Sequence, residues 1–159
     1  VKVAAIGLQE AIDHLKRYQN YLDSKLHLII ERLGNEGIEV ARASYTSAQY
    51  DGEKDISVTM EWVSDTEGYV VASGTKVLFI EFGTGLIGYG HPQASEFGYG
   101  PGTWSDNESL GGKHHWKDPE GWYYAHGLKS KGNPPSMSMY NAGKEMHSRV
   151  EAIVKEVFS

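Results

Sequence analysis

The chain has 159 residues, 40% of them hydrophobic, with a formal charge of −6 from 15 basic and 21 acidic side chains. That length predicts one domain, able to bury roughly 70% of the surface its unfolded chain exposes. Cysteine is absent, which removes disulfides and thiol catalysis and fits synthesis in a reducing cytoplasm. The acidic balance argues against holding DNA by phosphate neutralisation, because the densest basic cluster is only Lys129 to Lys131, broken by Ser130. No apolar run approaches about 18 residues and no basic-then-apolar leader stands at the start, so neither a membrane span nor a signal peptide is expected.

From Leu8 the apolar residues fall at 8, 12, 15, 22, 26, 29 and 33, in alternating steps of four and three with Gln19 as the single gap. This spacing draws one stripe along a helix. Asp13, Lys16, Arg17, Asn20, Asp23 and Lys25 populate the other face. Gly34 and Gly37 could end the helix, since a glycine costs roughly 1 kcal/mol in a helix interior. The stripe nevertheless continues through Val40 and Ser44, and Ala41 and Ala43 are good helix formers. The pattern predicts one helix from Leu8 to the mid-forties with a weak point near Asn35.

Ile56, Val58, Met60 and Trp62 alternate with Ser57, Thr59 and Glu61, the period of a strand with one buried face. Asp65-Thr66-Glu67-Gly68 reads as a turn into a second strand at Tyr69-Val70-Val71-Ala72, giving an antiparallel hairpin. Thr75 to Phe82 is ambiguous, and Lys76, Val77, Leu78, Phe79 and Ile80 suit a buried strand.

From Gly83 to Gly132 the chain turns glycine- and aromatic-rich. Lys113-His114-His115-Trp116 and Trp122-Tyr123-Tyr124-Ala125-His126, joined by an Asp-Pro-Glu-Gly turn, predict a second hairpin. Pro134 and Pro135 then mark the entry to a final helix, whose stripe is Met139, Gly143, Met146, Val150, Ile153 and Val157.

Three constellations invite chemistry. His91, His114, His115 and His126 lie near Asp106, Asp118 and Glu120 in sequence, but a zinc site needs three or four donors converging on one point. Adjacent His114 and His115 point to opposite faces of a strand, so polar hairpin side chains are the better reading and no metal is expected. Glu81 is the one acid inside the apolar run Phe79-Ile80-Glu81-Phe82. It could be an acid of raised pKa, yet no second acid, base or nucleophile stands at readable spacing. A carboxylate bonded to nearby amides or to a basic side chain is the simpler account. The glycines at 83, 85, 98, 100 and 102 lack the lysine-serine/threonine ending of a phosphate loop and read as turns. The aromatics Trp104, Trp116, Trp122, Tyr123 and Tyr124 could form a satellite core, a subunit interface or a carbohydrate platform.

Two segments carry a resemblance: Phe79-Ile80-Glu81-Phe82-Gly83-Thr84-Gly85, and Gly132-Asn133-Pro134-Pro135-Ser136-Met137-Ser138-Met139-Tyr140. In the order helix, hairpin, first segment, glycine-rich excursion, second segment, final helix, the chain resembles small neck and tail-completion proteins of long-tailed bacteriophages. These form the head–tail joining family, often described as minor tail proteins. The resemblance runs from about Leu8 to Phe158.

It implies a short helix rather than a strand after the first hairpin. It also implies an α+β fold, with two long amphipathic helices packed on an antiparallel sheet and an inserted arm at about 84–132. The function implied is structural: a virion subunit of the neck or tail, made in the host bacterial cytoplasm. Copies would sit in a ring around the DNA channel, against other neck, portal-side or tail proteins, with no cofactor and no membrane. Glu81 would then be a framework residue at the edge of a subunit contact, and Trp116, Trp122, Tyr123 and Tyr124 would lie in an interface. The competing classes are a metal-dependent hydrolase carried by a phage, and an aromatic-rich carbohydrate-binding module.

Overall fold

The structure, a computed structural model, describes residues 7–50, 52–85, 87–97, 122–124 and 128–159, with backbone alone for 122–124 and 128–130. The first helix, α1, runs unbroken over Leu8–Ser47. Both glycines that threatened to end it are buried, and each lies under a methionine. A Cβ built on Gly34 would stand 2.5 Å from the Met60 sulfur, and one on Gly37 would stand 2.5 Å from the Met146 sulfur. The weak point expected near Asn35 is therefore a place of close approach, and tertiary contact offsets the low helix propensity. Past the helix end, the Lys54 ammonium donates to the carbonyls of Thr46 and Ala48. A cation suits the negative end of the helix dipole.

Strands β1 (Ser57–Ser64) and β2 (Glu67–Ser73) form the expected antiparallel hairpin, with Val58 opposite Ala72 and Met60 opposite Val70. The inward face is graded along its length. Val58 is fully buried and Met60 is half-buried, while Trp62 is exposed at the far end. There the Trp62 ring stacks on His27 of α1, with centroids 4.3 Å apart, and His27 Nδ1 faces the Asp65 carbonyl at 3.0 Å. The hairpin thus lies along α1 and is pinned at its tip.

The ambiguous run after the hairpin is a helix, α2 (Val77–Phe82), reached through a turn. The Asp55 carboxylate accepts from the backbone N–H and the hydroxyl of Thr75, which holds that turn and lowers the Asp55 pKa. Two-residue strands follow. β3 (Thr84–Gly85) pairs antiparallel with Gly132–Asn133, closing the glycine-rich excursion at its base. Gly132 has φ +97°, and a Cβ there would fall 1.9 Å from the Thr84 carbonyl oxygen, so this crossing admits only glycine.

Within the excursion, β4 (Trp122–Tyr124) pairs with β5 (Leu128–Ser130). Sequence pattern had offered 113–116 as the partner of this strand. That segment lies outside the described residues, and the observed partner is downstream. Numbered in order, Gly132–Asn133 is β6.

The last helix, α3 (Ser138–Phe158), packs along α1. Its buried line is Ser138, Ala142, Ile153 and Val157. The expected stripe is right in its last turns, but the first half is rotated by one residue. Gly143 is exposed, and a Cβ built there would meet open space, while Ala142 is fully buried. Among the described residues two clusters make the core. Ile38, Ala41, Tyr45, Val58, Ile80 and Ala142 join the hairpin, α2 and both long helices, and Ile29, Ile153 and Val157 seal α1 against the end of α3. The architecture is α+β, as expected: a long helix and a carboxyl-terminal helix with small antiparallel sheets.

Candidate functional site

The two segments that carry the resemblance, about fifty residues apart in sequence, meet at one buried junction. The backbone comes first. Ser136 and Met137 donate N–H groups to the Ile80 and Glu81 carbonyls at 2.8 and 3.2 Å, so the segment leading into α3 takes up the open carbonyl end of α2. Asn133 is buried, and its side-chain amide donates to the Phe79 carbonyl at 2.9 Å while its oxygen accepts from the Thr84 hydroxyl. Met137 adopts a left-handed conformation (φ 54°) at the start of α3, unusual for a residue with a side chain. No side chain of its own caps the helix.

The missing cap comes from Glu81. Its carboxylate accepts from the backbone N–H of Met139 at 3.0 Å and of Tyr140 at 3.1 Å, at the positive end of α3. It also accepts from the Tyr45 hydroxyl at 3.0 Å and faces His91 Nε2 at 3.2 Å. The Gln93 N–H donates to His91 Nδ1 at 3.1 Å. That nitrogen is therefore an acceptor, so the ring proton sits on Nε2 and points at Glu81. The imidazole is held between the Phe82 ring, 4.3 Å away, and the edge of Tyr140 at 5.8 Å.

Glu81 is 4% exposed and His91 7%. Four donors converge on the carboxylate, which matches the lone-pair sites it has. Burial, and then the Glu81 charge, push the Tyr45 hydroxyl well above its ordinary pKa of 10.0, so it stays a donor. Among the described residues, no buried side-chain polar atom lacks a partner.

A second polar relay lies beside this junction. Ser138, fully buried, donates to the Ser44 hydroxyl at 2.9 Å and contacts the Ser136 hydroxyl at 2.8 Å. Together the two networks fasten the start of α3 to α1 and α2. A cavity of about 440 Å³ opens onto the first network, lined by Tyr45, Glu81 and Tyr140 together with Leu78, Phe82 and Phe97. For Glu81 to act as a base toward anything there, it would have to release the cap of α3. The arrangement is an anchor.

Of the residues singled out from sequence, Glu81 is at the centre of this junction, with its carboxylate engaged wholly inside the chain. Trp122, Tyr123 and Tyr124 lie on β4, and Trp116 lies outside the described residues, as do Trp104, His114, His115 and His126. His91, grouped in sequence with possible metal donors, instead serves Glu81. Tyr45 was not foreseen as a partner of Glu81, nor Asn133 as the tie between β6 and α2. Tyr45 sits one residue past Ser44, the last position of the expected stripe, and no spacing links it to Glu81. Among the described residues no three acid or imidazole groups gather as a metal site would require, and no helix is long and apolar enough to cross a membrane. No protein-family model matches the chain, and no curated protein or solved structure matches it.

Proposed function

We propose that this protein is a structural subunit of a long-tailed bacteriophage virion, acting at the neck or the upper end of the tail in head–tail joining or tail completion. Copies stand in a ring around the DNA channel, in contact with other neck, portal-side or tail proteins. One observation carries the reading furthest. The Ile-Glu-Phe-Gly-Thr-Gly and Asn-Pro-Pro segments form a single interlocked junction, in which Glu81 caps α3 and Asn133 ties β6 to α2. That is how a framework motif behaves: the Glu81 carboxylate and the Asn133 amide are both engaged in holding elements together. A ring subunit needs this rigidity, since each copy must present two different faces at a fixed angle.

The test is genetic and morphological. Interrupting the gene in the phage that carries it should yield filled heads and tails that fail to join, or tails of defective length, under electron microscopy. Antibody against the protein should label the neck or the upper tail of wild-type particles. Normal infectious particles from the interrupted phage, or a protein absent from purified virions, would sink the reading.

A further inference from the structure

The amino-terminal half of α1 presents an apolar stripe that no described residue covers. Leu8 is 63% exposed, Leu15 68%, and Ile12, Leu22 and Leu26 between 37% and 44%. Further along the same stripe, Ile29 and Leu33 are covered by Ile153, Val154 and Val157 of α3. α3 then ends at Phe158, where Lys25 of α1 donates to the Val157 carbonyl. The stripe continues the α1–α3 helix packing for roughly 28 Å after that packing has run out, at 1.5 Å per residue. Its steps of four and three keep to a repeat of about 3.5 residues, with Gln19 the one polar position, the period of a helix seam built to be covered.

A complementary unfilled surface lies elsewhere on the molecule. Between the middle of α1, the β1–β2 hairpin and α3 is an open groove of about 580 Å³. Its walls include Leu33, Val70 and Val150, with three of the chain's four methionines, Met60, Met139 and Met146. A groove of this size could take a small molecule, but such sites carry a few convergent polar groups that fix orientation. Here the polar lining is His147 at the rim and Tyr69, whose hydroxyl donates to Glu67. Methionine-rich apolar walls suit the side chains of an amphipathic helix. Charge also fits: among the described residues no Asp, Glu, Lys or Arg lines the groove, and residues 8–26 balance three acids (Glu10, Asp13, Asp23) with three bases (Lys16, Arg17, Lys25), so seating the stripe there buries no unpaired charge of the groove.

We infer that the two surfaces meet between copies: the stripe at the start of α1 of one copy lies in the groove between α1, the hairpin and α3 of a second copy. The contact is head to tail, because stripe and groove are different surfaces. Repetition closes a ring or grows a filament; that it closes rests on the virion reading above.

The test uses the full-length protein in sedimentation equilibrium over a range of concentrations. Wild type should self-associate. The stripe variant L15E/L22E and the groove variant V150E should each raise the dissociation constant roughly 100-fold or more by setting a charge against apolar side chains. Circular dichroism and thermal midpoint should stay unchanged, since all three positions are exposed. Should V150E fail to fold, Tyr69→Ser on the other groove wall takes its place. Mixed in equal amounts, the two variants should form dimers and nothing larger, since only one intact stripe and one intact groove remain per pair.

A monomeric wild type, variants that associate as wild type does, or a mixture that stays monomeric would each overturn the inference. A groove variant that associates normally while the stripe variant does not would point to a two-fold stripe-to-stripe contact, and would overturn it as well. Virion labelling separates the two claims. Protein found in particles but monomeric in solution defeats only this contact, and head-to-tail association by a protein absent from particles defeats only the virion reading.

Discussion

At the scale of single residues, the molecule turns on Glu81. Its carboxylate is a helix cap supplied from 58 residues away in sequence, from α2 to the start of α3. Replacing it by glutamine keeps the volume but sets a donor amide against N–H and O–H groups. Hydrogen bonds to charged groups contribute ~1.5–3 kcal/mol each, so E81Q should lower unfolding free energy by about 2–4 kcal/mol in urea titration, and E81A by at least as much. A loss under about 0.5 kcal/mol, the range of ordinary surface changes, would show that the carboxylate is not the cap described.

Tyr45 gives a second measure of the same contact. Its folded pKa is raised by burial and by Glu81, from an ordinary 10.0. Below pH 10 both folded and unfolded chains keep the proton, and the contribution is fully present. Above it the unfolded chain ionises first, so stability falls as pH rises, by ~1.4 kcal/mol per unit for this one group. Phenylalanine at 45 should lose a hydrogen bond at neutral pH yet show a shallower decline above pH 10 than wild type. Parallel declines would mean Tyr45 ionises as freely in the fold as outside it. The oddity of Glu81 was legible in sequence, as an acid inside an apolar run. Its partners were not, because Tyr45 and His91 reach it through tertiary packing that leaves no periodic trace.

Among the elements, what could be read in advance followed the strength of the periodicity. The α1 stripe was long enough to outweigh two glycines, and the hairpin alternated cleanly, so both were legible. The buried line of α1 at Ala41 and Tyr45 nevertheless lies one residue past the expected Val40 and Ser44, and β2 begins at Glu67, inside the expected turn. α2 was not legible from residues alone, since a six-residue apolar helix and a buried strand share one composition. The pairing of β4 with β5 was hidden because the stronger turn signal, Asp-Pro-Glu-Gly, lay on the other side of β4. α3 shows how a stripe can be correct in period and off in phase. Its sequence pattern gives Val150 and Ile153 equal weight, whereas the structure leaves Val150 40% exposed and Ile153 only 2%. Truncating Ile153 to alanine should therefore cost ~2–5 kcal/mol, as large-to-small changes in a core do. Val150→Ala should stay within about 0.5 kcal/mol. Equal effects in thermal melts would place the buried line of α3 elsewhere. Deleting α3 from Met139 onward should abolish cooperative unfolding altogether, since it removes members of both core clusters.

For the molecule as a whole, the long first helix serves two different ends. From Ile29 onward it is core: Ile29, Gly34, Gly37, Ile38, Ala41 and Tyr45 are its buried residues. Before that its apolar stripe stands in solvent. Sequence could not separate these halves, because one unbroken period of four and three runs through both. Among the described residues, cover stops where α3 ends beside Lys25. Stability and assembly should therefore be separable by one cut. Removing residues 1–21 leaves Lys25 and every buried position among the described residues in place. The shortened chain should keep its thermal midpoint to within the shift of an ordinary surface change, worth about 0.5 kcal/mol, and lose helical signal only in proportion to the residues removed. Its self-association should disappear, because an exposed apolar helix face of this length is costly to keep unless a contact uses it. A shortened chain that unfolds would make the amino-terminal half part of the core. One that folds and still associates as the full chain does would move the contact away from the stripe, and the burden of assembly would then pass to the arm that closes at Thr84 and Asn133.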